Sequence, residues 1–90
     1  MLKGNVKVLN PLGLHARATA SLVRVASKFT GKITLLRLDK NLSADAKSIL
    51  SVLTLAASKG IELELTIEGA DEIEAFEAVK QLFEKGFGEI

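Results

Sequence analysis

Residues Leu2 to Val8 alternate between apolar or small and polar, which is the pattern of a strand with one buried face. The same period is clearer from Ile61 to Glu68, where isoleucines and leucines point one way and glutamates and a threonine point the other. Such alternation is typical of an antiparallel sheet that is covered on one side only. The glutamates of the second segment would pair with Lys3 and Lys7 if the two strands were neighbours.

Apolar residues recur at helical spacing in three other segments, which predicts three helices. The first helix runs from about Leu14 to Phe29, with Gly31 as the residue that ends it. A short second helix follows Ser48 or Asp45 as its N-cap. The apolar stripe of the third is Ala75, Phe76, Val79, Leu82 and Phe83, with an Asp71/Glu74 capping box at its start and Gly86 at its end.

Two further strands are expected between the first and second helices, at Ile33 to Leu38 and at Leu42 to Ala44, joined by a turn at Asp39 to Asn41. The predicted order of elements is therefore β-α-β-β-α-β-α. That order indicates an α+β domain, with one sheet and its helices packed on the covered face. Ninety residues support one domain, which we place at residues 1–90.

The composition excludes several classes of protein. The chain has no cysteine, so it has neither a disulfide framework nor a thiolate zinc site. Its longest nearly apolar run, Ile49 to Ala57, is far shorter than the roughly 18 residues of a membrane span. The first five residues lack the apolar core of a signal peptide, so we expect a cytoplasmic protein.

The net charge of +1 conceals a division along the chain. Residues 1–60 carry ten Lys or Arg and two acids, whereas residues 61–90 carry two Lys and nine acids. This division indicates that the first two-thirds present a surface to an anionic partner. Nucleic acid is a weak candidate for that partner, because the four aromatic residues are too few for a base-stacking surface.

The only histidine, His15, stands at the predicted start of the first helix. The free amides and the dipole of a helix start favour negative charge, and Arg17 adds a planar guanidinium that suits phosphate oxygens. A neutral imidazole in this position could attack phosphorus, with the amides and Arg17 holding the product. The arrangement is therefore suited to phosphoryl transfer.

Plainer interpretations of His15 remain open from the residues alone. The histidine could be a helix cap or a partly exposed surface residue. A metal site has little support, since the chain has no second histidine and few acids before residue 61. A Ser-His-Asp hydrolase would need a buried orienting acid, for which Asp39 and Asp45 are the only candidates in that half.

Three segments in register resemble the HPr family, the histidine-containing phosphocarriers of the bacterial phosphoenolpyruvate-dependent phosphotransferase system. They are Gly13 to Arg17 (GLHAR), Ala26 to Phe29 (ASKF) and Ala46 to Leu50 (AKSIL). The resemblance extends over essentially the whole chain. It implies an open-faced β-sandwich, in which a four-stranded antiparallel sheet has three helices on one face.

The resemblance also implies roles for individual residues. His15 matches the histidine that is phosphorylated on Nδ1, Arg17 the arginine that assists transfer, and Ser48 a serine that a dedicated kinase phosphorylates in many bacteria. The expected partner-docking residues lie around them: Leu14, Ala18, Arg24, Lys28, Lys47, Ile49, Leu50 and Leu53. Because a short helix cannot bury every apolar residue it carries, we expect Leu50 to be exposed.

The implied function is that of a phosphocarrier, not an enzyme, and it needs no cofactor or metal. The expected partners are Enzyme I as donor, A-domains of permeases or of a nitrogen-type phosphotransferase as acceptors, and a serine kinase or phosphorylase. We expect a monomer that neither inserts into membranes nor binds nucleic acid.

Two residues depart from the usual family pattern. Ala18 replaces a proline and Asp45 an asparagine. The His-Ala-Arg-Ala sequence is also similar to a nitrogen-related branch of the family, in which the protein would regulate metabolism instead of sugar uptake. A negative charge at Asp45 could weaken kinase recognition of Ser48. The alternative function is a regulatory adaptor of this nitrogen-related branch, and a further possibility is an adaptor whose partner binding is controlled by phosphorylation of Ser48.

Overall fold

The computed structural model describes all 90 residues. It contains four strands, three α-helices and a final 3-10 turn. In chain order they are β1 (Leu2–Lys7), α1 (Ala16–Ala26), β2 (Lys32–Arg37), β3 (Leu42–Asp45), α2 (Ile49–Leu53), β4 (Glu62–Glu68), α3 (Glu72–Glu84) and the 3-10 turn (Gly86–Gly88). The predicted order of elements is therefore confirmed.

The strands form one antiparallel sheet in the order β1-β4-β2-β3. One face of the sheet carries the core, because alternate residues of each strand point to that side. On β4, for example, Leu63, Leu65 and Ile67 are fully buried, and the neighbouring glutamates lie on the uncovered face. The predicted α+β open-faced sandwich is confirmed.

The register of β1 and β4 tests the expected lysine–glutamate pairs. Lys7 stands opposite Glu62, as expected, whereas Lys3 stands opposite Thr66. Neither lysine forms an ion pair within 4.0 Å. The charges on this wet face are thus neighbours in solvent, where pairing contributes little to stability.

The helices cover the apolar face of the sheet. α3 packs on β1 and β4, and α1 packs against both α2 and α3. The buried apolar residues of α1 are Ala18, Leu22 and Ala26. None of the helices is long and apolar enough to cross a bilayer.

One predicted helix end was wrong. α1 ends at Ala26 with Ser27 as its C-cap, and the chain then makes tight turns through Lys28 and Phe29 before it reaches Gly31. Gly31 does not cap this helix. It lies against the backbone of Glu68, where an added Cβ would be 2.6 Å from the carbonyl oxygen.

The capping box at the start of α3 is also absent. Asp71 occupies the N-cap position, but its carboxylate does not bond the helix amides. It accepts hydrogen bonds from the amides of Thr30 (2.9 Å) and Gly31 (3.2 Å) instead. These bonds hold the pKa of Asp71 below its usual value, with the amide of Thr30 as the largest cause. The carboxylate thus ties α3 to the turn that precedes β2.

Candidate functional site

His15 is the N-cap of α1, as the sequence predicted. Its backbone is extended (φ −75°, ψ −178°), and its Nδ1 accepts a hydrogen bond from the amide of Arg17 at 3.4 Å. A histidine side chain thus takes the place that Ser or Asp more often fills at a helix start. The result is that Nδ1 faces the first turn of the helix.

The first turn of α1 also supplies free donors. The amides of Ala16 and Ala18 have no hydrogen-bond acceptor within the chain, whereas the amide of Thr19 donates to the carbonyl of His15. The hydroxyl of Thr19 donates to the carbonyl of Leu14 and holds the preceding turn. Free amides at the positive end of a helix dipole form a favourable environment for an anion beside Nδ1.

A backbone contact fixes the loop that carries His15. The amide of Leu14 donates to the carbonyl oxygen of Ala57 at 2.9 Å, which joins this loop to the segment after α2. Gly13 adopts a positive φ of 67° at the same place, and a Cβ there would lie 2.6 Å from that oxygen. Only glycine combines this conformation with so close an approach.

Glu89 contacts the opposite edge of the imidazole. Its carboxylate oxygens lie 2.8 and 3.0 Å from Nε2 of His15. One of them also accepts a hydrogen bond from Nδ2 of the fully buried Asn10 at 2.9 Å. The donation from Asn10, followed by that from His15, holds the pKa of Glu89 below its usual range, so that the carboxyl group is ionised at neutral pH.

Arg17 is largely free in this site. Its side chain is 81% exposed, and its Nε lies 3.9 Å from a carboxylate oxygen of Glu89. A guanidinium held by one long contact can turn toward a phosphate without breaking a packed interaction. The structure thus brings His15 and Arg17 together at one helix start, as the sequence predicted.

Ser48 is the N-cap of α2, which decides between the two predicted caps. Its hydroxyl oxygen accepts a hydrogen bond from the amide of Ser51 at 3.2 Å. Asp45 lies before it and accepts a hydrogen bond from the amide of Lys47 through its own carboxylate. Ser48 is half-buried, and its hydroxyl stabilises the first turn of α2 through this hydrogen bond.

The apolar residues of α2 divide into buried and exposed ones. Val52 is fully buried, whereas Ile49, Leu50 and Leu53 are all exposed. Leu50 is the most accessible of them at 78%, which confirms the prediction for this residue. We call these three side chains the α2 patch.

Two of the expected docking residues are corrected by the structure. Leu14 and Ala18 lie in the core, at 5% and 1% exposure, because they belong to the face of the α1 segment that packs on the sheet and the other helices. Their side chains offer almost no surface to a partner. Arg24 and Lys28 are exposed, while the ammonium of Lys47 donates to the carbonyl of Phe29 at 2.6 Å.

Sequence reasoning did not identify Asn10, Ala57 or Glu89 as parts of the site. Asn10 and Ala57 act through a buried amide and a backbone carbonyl, which leave no recognisable pattern. Glu89 belongs to the acidic third of the chain, yet the fold brings it to the basic end. Its only signal is a cluster of glycines around residue 87, which permits a reversal of the chain.

Comparisons with known proteins agree with this geometry. The family model for the PTS HPr component phosphorylation site matches residues 2–85. A phosphocarrier protein HPr of Xylella fastidiosa (strain Temecula1 / ATCC 700964) is 47% identical over 99% of the chain and 98% of its own length. The phosphocarrier protein NPr of Escherichia coli (strain K12) is 38% identical over 98% and 97%.

The fold gives the same result. A crystal structure of HPr-C-His from Thermoanaerobacter tengcongensis superposes with a TM-score of 0.94. It is 39% identical and covers 100% of this chain and 99% of its own. With a histidine-capped helix, a near full-length family match and this superposition, the chain belongs to the HPr family of phosphocarrier proteins of the phosphotransferase system.

Proposed function

We propose that this chain accepts a phosphoryl group on Nδ1 of His15 from Enzyme I and passes it to an A-domain of the phosphotransferase system. The observation that carries the proposal is the direction of Nδ1, which faces the free amides at the start of α1. A phosphoryl group on this nitrogen would lie at a helix start, beside the exposed guanidinium of Arg17.

The chemistry is a displacement at phosphorus in each direction. The lone pair of Nδ1 forms the new nitrogen–phosphorus bond, and the bond between phosphorus and the donor breaks with its electron pair left on the donor. Arg17 and the amides of Ala16 and Ala18 neutralise the charge of the transferred group. Because the group leaves again to the acceptor, the chain is a stoichiometric carrier, not an enzyme.

The α2 patch is the proposed docking surface for both partners. Exposed apolar side chains beside a charged site are typical of protein interfaces. An exposed basic stripe, which would steer acidic partners, is formed by Arg17 and Arg24 on the adjacent α1 and by Lys28 just after it. Lys47 contributes less than expected, since its ammonium is engaged with Phe29.

Incubation with phosphoenolpyruvate and Enzyme I tests the proposal. We expect one phosphoryl group per chain, in an adduct that is labile in acid and stable in base. A His15→Ala variant with a wild-type circular dichroism spectrum should accept none. Labelling of that variant at the wild-type level would contradict the proposal.

A serine-directed regulation is the second candidate, and the N-cap position of Ser48 supports it. A phosphate on this hydroxyl would remain favourable at the start of α2 and would place about two negative charges beside the α2 patch. Partner binding at that patch would weaken. Incubation with an HPr-type serine kinase and ATP should phosphorylate the wild type and not Ser48→Ala. Equal phosphate incorporation into both proteins would exclude Ser48 as the site.

We also propose that the protein is a cytoplasmic monomer. We further propose that it acts as an HPr and not as a member of the nitrogen-related branch. The higher identity to an HPr relative than to an NPr relative supports that choice. Transfer to a sugar-specific A-domain and to a nitrogen-type A-domain, measured side by side, distinguishes the two branches.

A further inference from the structure

The last five residues fold back toward His15 in an unusual turn. Gly86, Phe87 and Gly88 have positive φ angles of 55°, 56° and 75° in succession. A phenylalanine in this conformation is strained by about 1–2 kcal/mol, so packing must hold it. The ring of Phe87 packs edge-to-face on Phe83 at 5.0 Å, and the side chain of Ile90 lies against Gly86.

This turn directs the carboxylate of Glu89 between two donors. A carboxylate can only accept hydrogen bonds, so Nε2 of His15, at 2.8 Å, must carry a hydrogen. Asn10 donates through the same amide nitrogen to Glu89 and to the carbonyl of Gly13, at 2.9 and 2.7 Å. Because both of those partners are acceptors, the orientation of the Asn10 amide is fixed.

The other ring nitrogen has the opposite requirement. Nδ1 accepts the hydrogen bond from the amide of Arg17, so it must hold a lone pair. Both contacts therefore select the same form of the neutral imidazole, with its hydrogen on Nε2 and its lone pair on Nδ1. That form is the one whose Nδ1 can attack phosphorus.

We infer that Glu89 is a positioning residue for phosphoryl transfer, holding His15 in the Nε2–H tautomer and serving as counter-ion once Nδ1 is phosphorylated. This inference rests on the proposed function. When phosphorus bonds to Nδ1 of the neutral ring, the product is an imidazolium that keeps its Nε2 hydrogen. Transfer to the acceptor breaks that bond and returns the neutral ring, so neither step needs a proton to be added or removed.

Glu89 lies outside the segment that the family model matches. The family model ends at residue 85, four residues before the carboxylate. The contacts on which the role depends come from the final turn and from Asn10, which is fully buried. A negative charge that is fixed by a buried amide remains aligned with the ring while partners exchange.

Imidazole ¹⁵N spectroscopy in alkaline solution, where histidine side chains are neutral, tests the inference directly. The chain has one histidine, so its two ring nitrogens give the whole signal. Wild type should show protonated Nε2 and unprotonated Nδ1. Glu89→Ala should show shifts averaged between the two tautomers, together with acceptance from phosphorylated Enzyme I that is slower by about ten-fold, as when the carboxylate behind a metal-ligating histidine is lost.

Glu84→Ala is the matched control, because it removes an equal charge from an exposed position on α3. Its ring shifts and its rate should equal those of wild type. Wild-type shifts or a wild-type rate in Glu89→Ala would overturn the inference, as would equal changes in the control. Those outcomes leave the proposed function intact, which fails only if His15→Ala still accepts the phosphoryl group.

Discussion

The backbones of Gly13 and Ala57 approach so closely that a single methyl group on Gly13 would lie 2.6 Å from the carbonyl oxygen of Ala57. That oxygen also accepts the amide of Leu14, the residue next to His15. The loop that presents the imidazole is thereby attached to the segment that follows α2. The phosphoryl site and the α2 patch consequently keep a fixed spacing.

Gly13→Ala should therefore destabilise the protein and slow phosphorylation. The positive φ and the clash together are expected to lower the free energy of unfolding by about 3 kcal/mol. Gly60→Ala is the matched control, because Gly60 also has a positive φ but no atom within 4 Å of the added Cβ. It should cost about 1 kcal/mol and leave phosphorylation unchanged. If urea denaturation showed the same loss of unfolding free energy for both variants, the contact with Ala57 would have no effect of its own.

Arg17→Lys should slow phosphoryl transfer without affecting stability. The side chain is 81% exposed, so we expect the melting temperature to stay within about 1 °C of wild type. Lysine keeps the charge but loses the planar pair of donors, and the rate of acceptance from Enzyme I should fall by roughly ten-fold. Rapid-quench measurement of the first turnover checks this, and a wild-type rate would mean that charge alone suffices.

Leu50→Glu should weaken partner binding and spare the fold. The side chain is 78% exposed, so its replacement leaves the core intact, while a charge in the α2 patch repels an acidic partner. We expect affinity for Enzyme I to fall by about ten-fold or more in calorimetric titration. Ile73→Glu is the control, because Ile73 is also apolar and exposed (66%) but lies on α3, outside the patch. A similar loss in the control would point to net charge and not to the patch.

Asp71→Asn should lower the melting temperature at neutral pH, and the difference should shrink in acid. The amides of Thr30 and Gly31 lower the pKa of the folded-state carboxyl, so its ionised form stabilises the fold above the ordinary aspartate pKa. That contribution is lost as the pH falls through the lowered value. Thermal melts of both proteins from pH 7 down to about pH 2 follow the difference. A constant difference across this range would rule out the carboxylate charge as its source.

The strands and the position of His15 were predictable because they depend on local patterns. The alternation from Ile61 to Glu68 shows which face of the strand is exposed to solvent. The exposure of Leu50 was predictable because a five-residue helix cannot bury all of its apolar side chains. Asp71 was correctly predicted to begin α3, but the predicted capping box was wrong. Its spacing to Glu74 is that of a capping box, but the backbone amides of Thr30 and Gly31 compete for the same carboxylate.

Glu89 could not have been placed from the sequence. It contacts His15 from 74 positions away, through a turn whose positive φ angles depend on the packing of Phe87 on Phe83. Leu14 and Ala18 raise a different difficulty. Residues next to a site in sequence need not share its surface, and at helical spacing they point into the core.

The strand order has a consequence for when the protein becomes competent during its synthesis. β1 hydrogen-bonds only to β4, so the strand that leads to His15 stays without a neighbour until the ribosome has released most of the chain. Glu89 emerges later still. Nascent and prematurely terminated chains would therefore leave β1 unpaired and would lack the contact of Glu89 with His15.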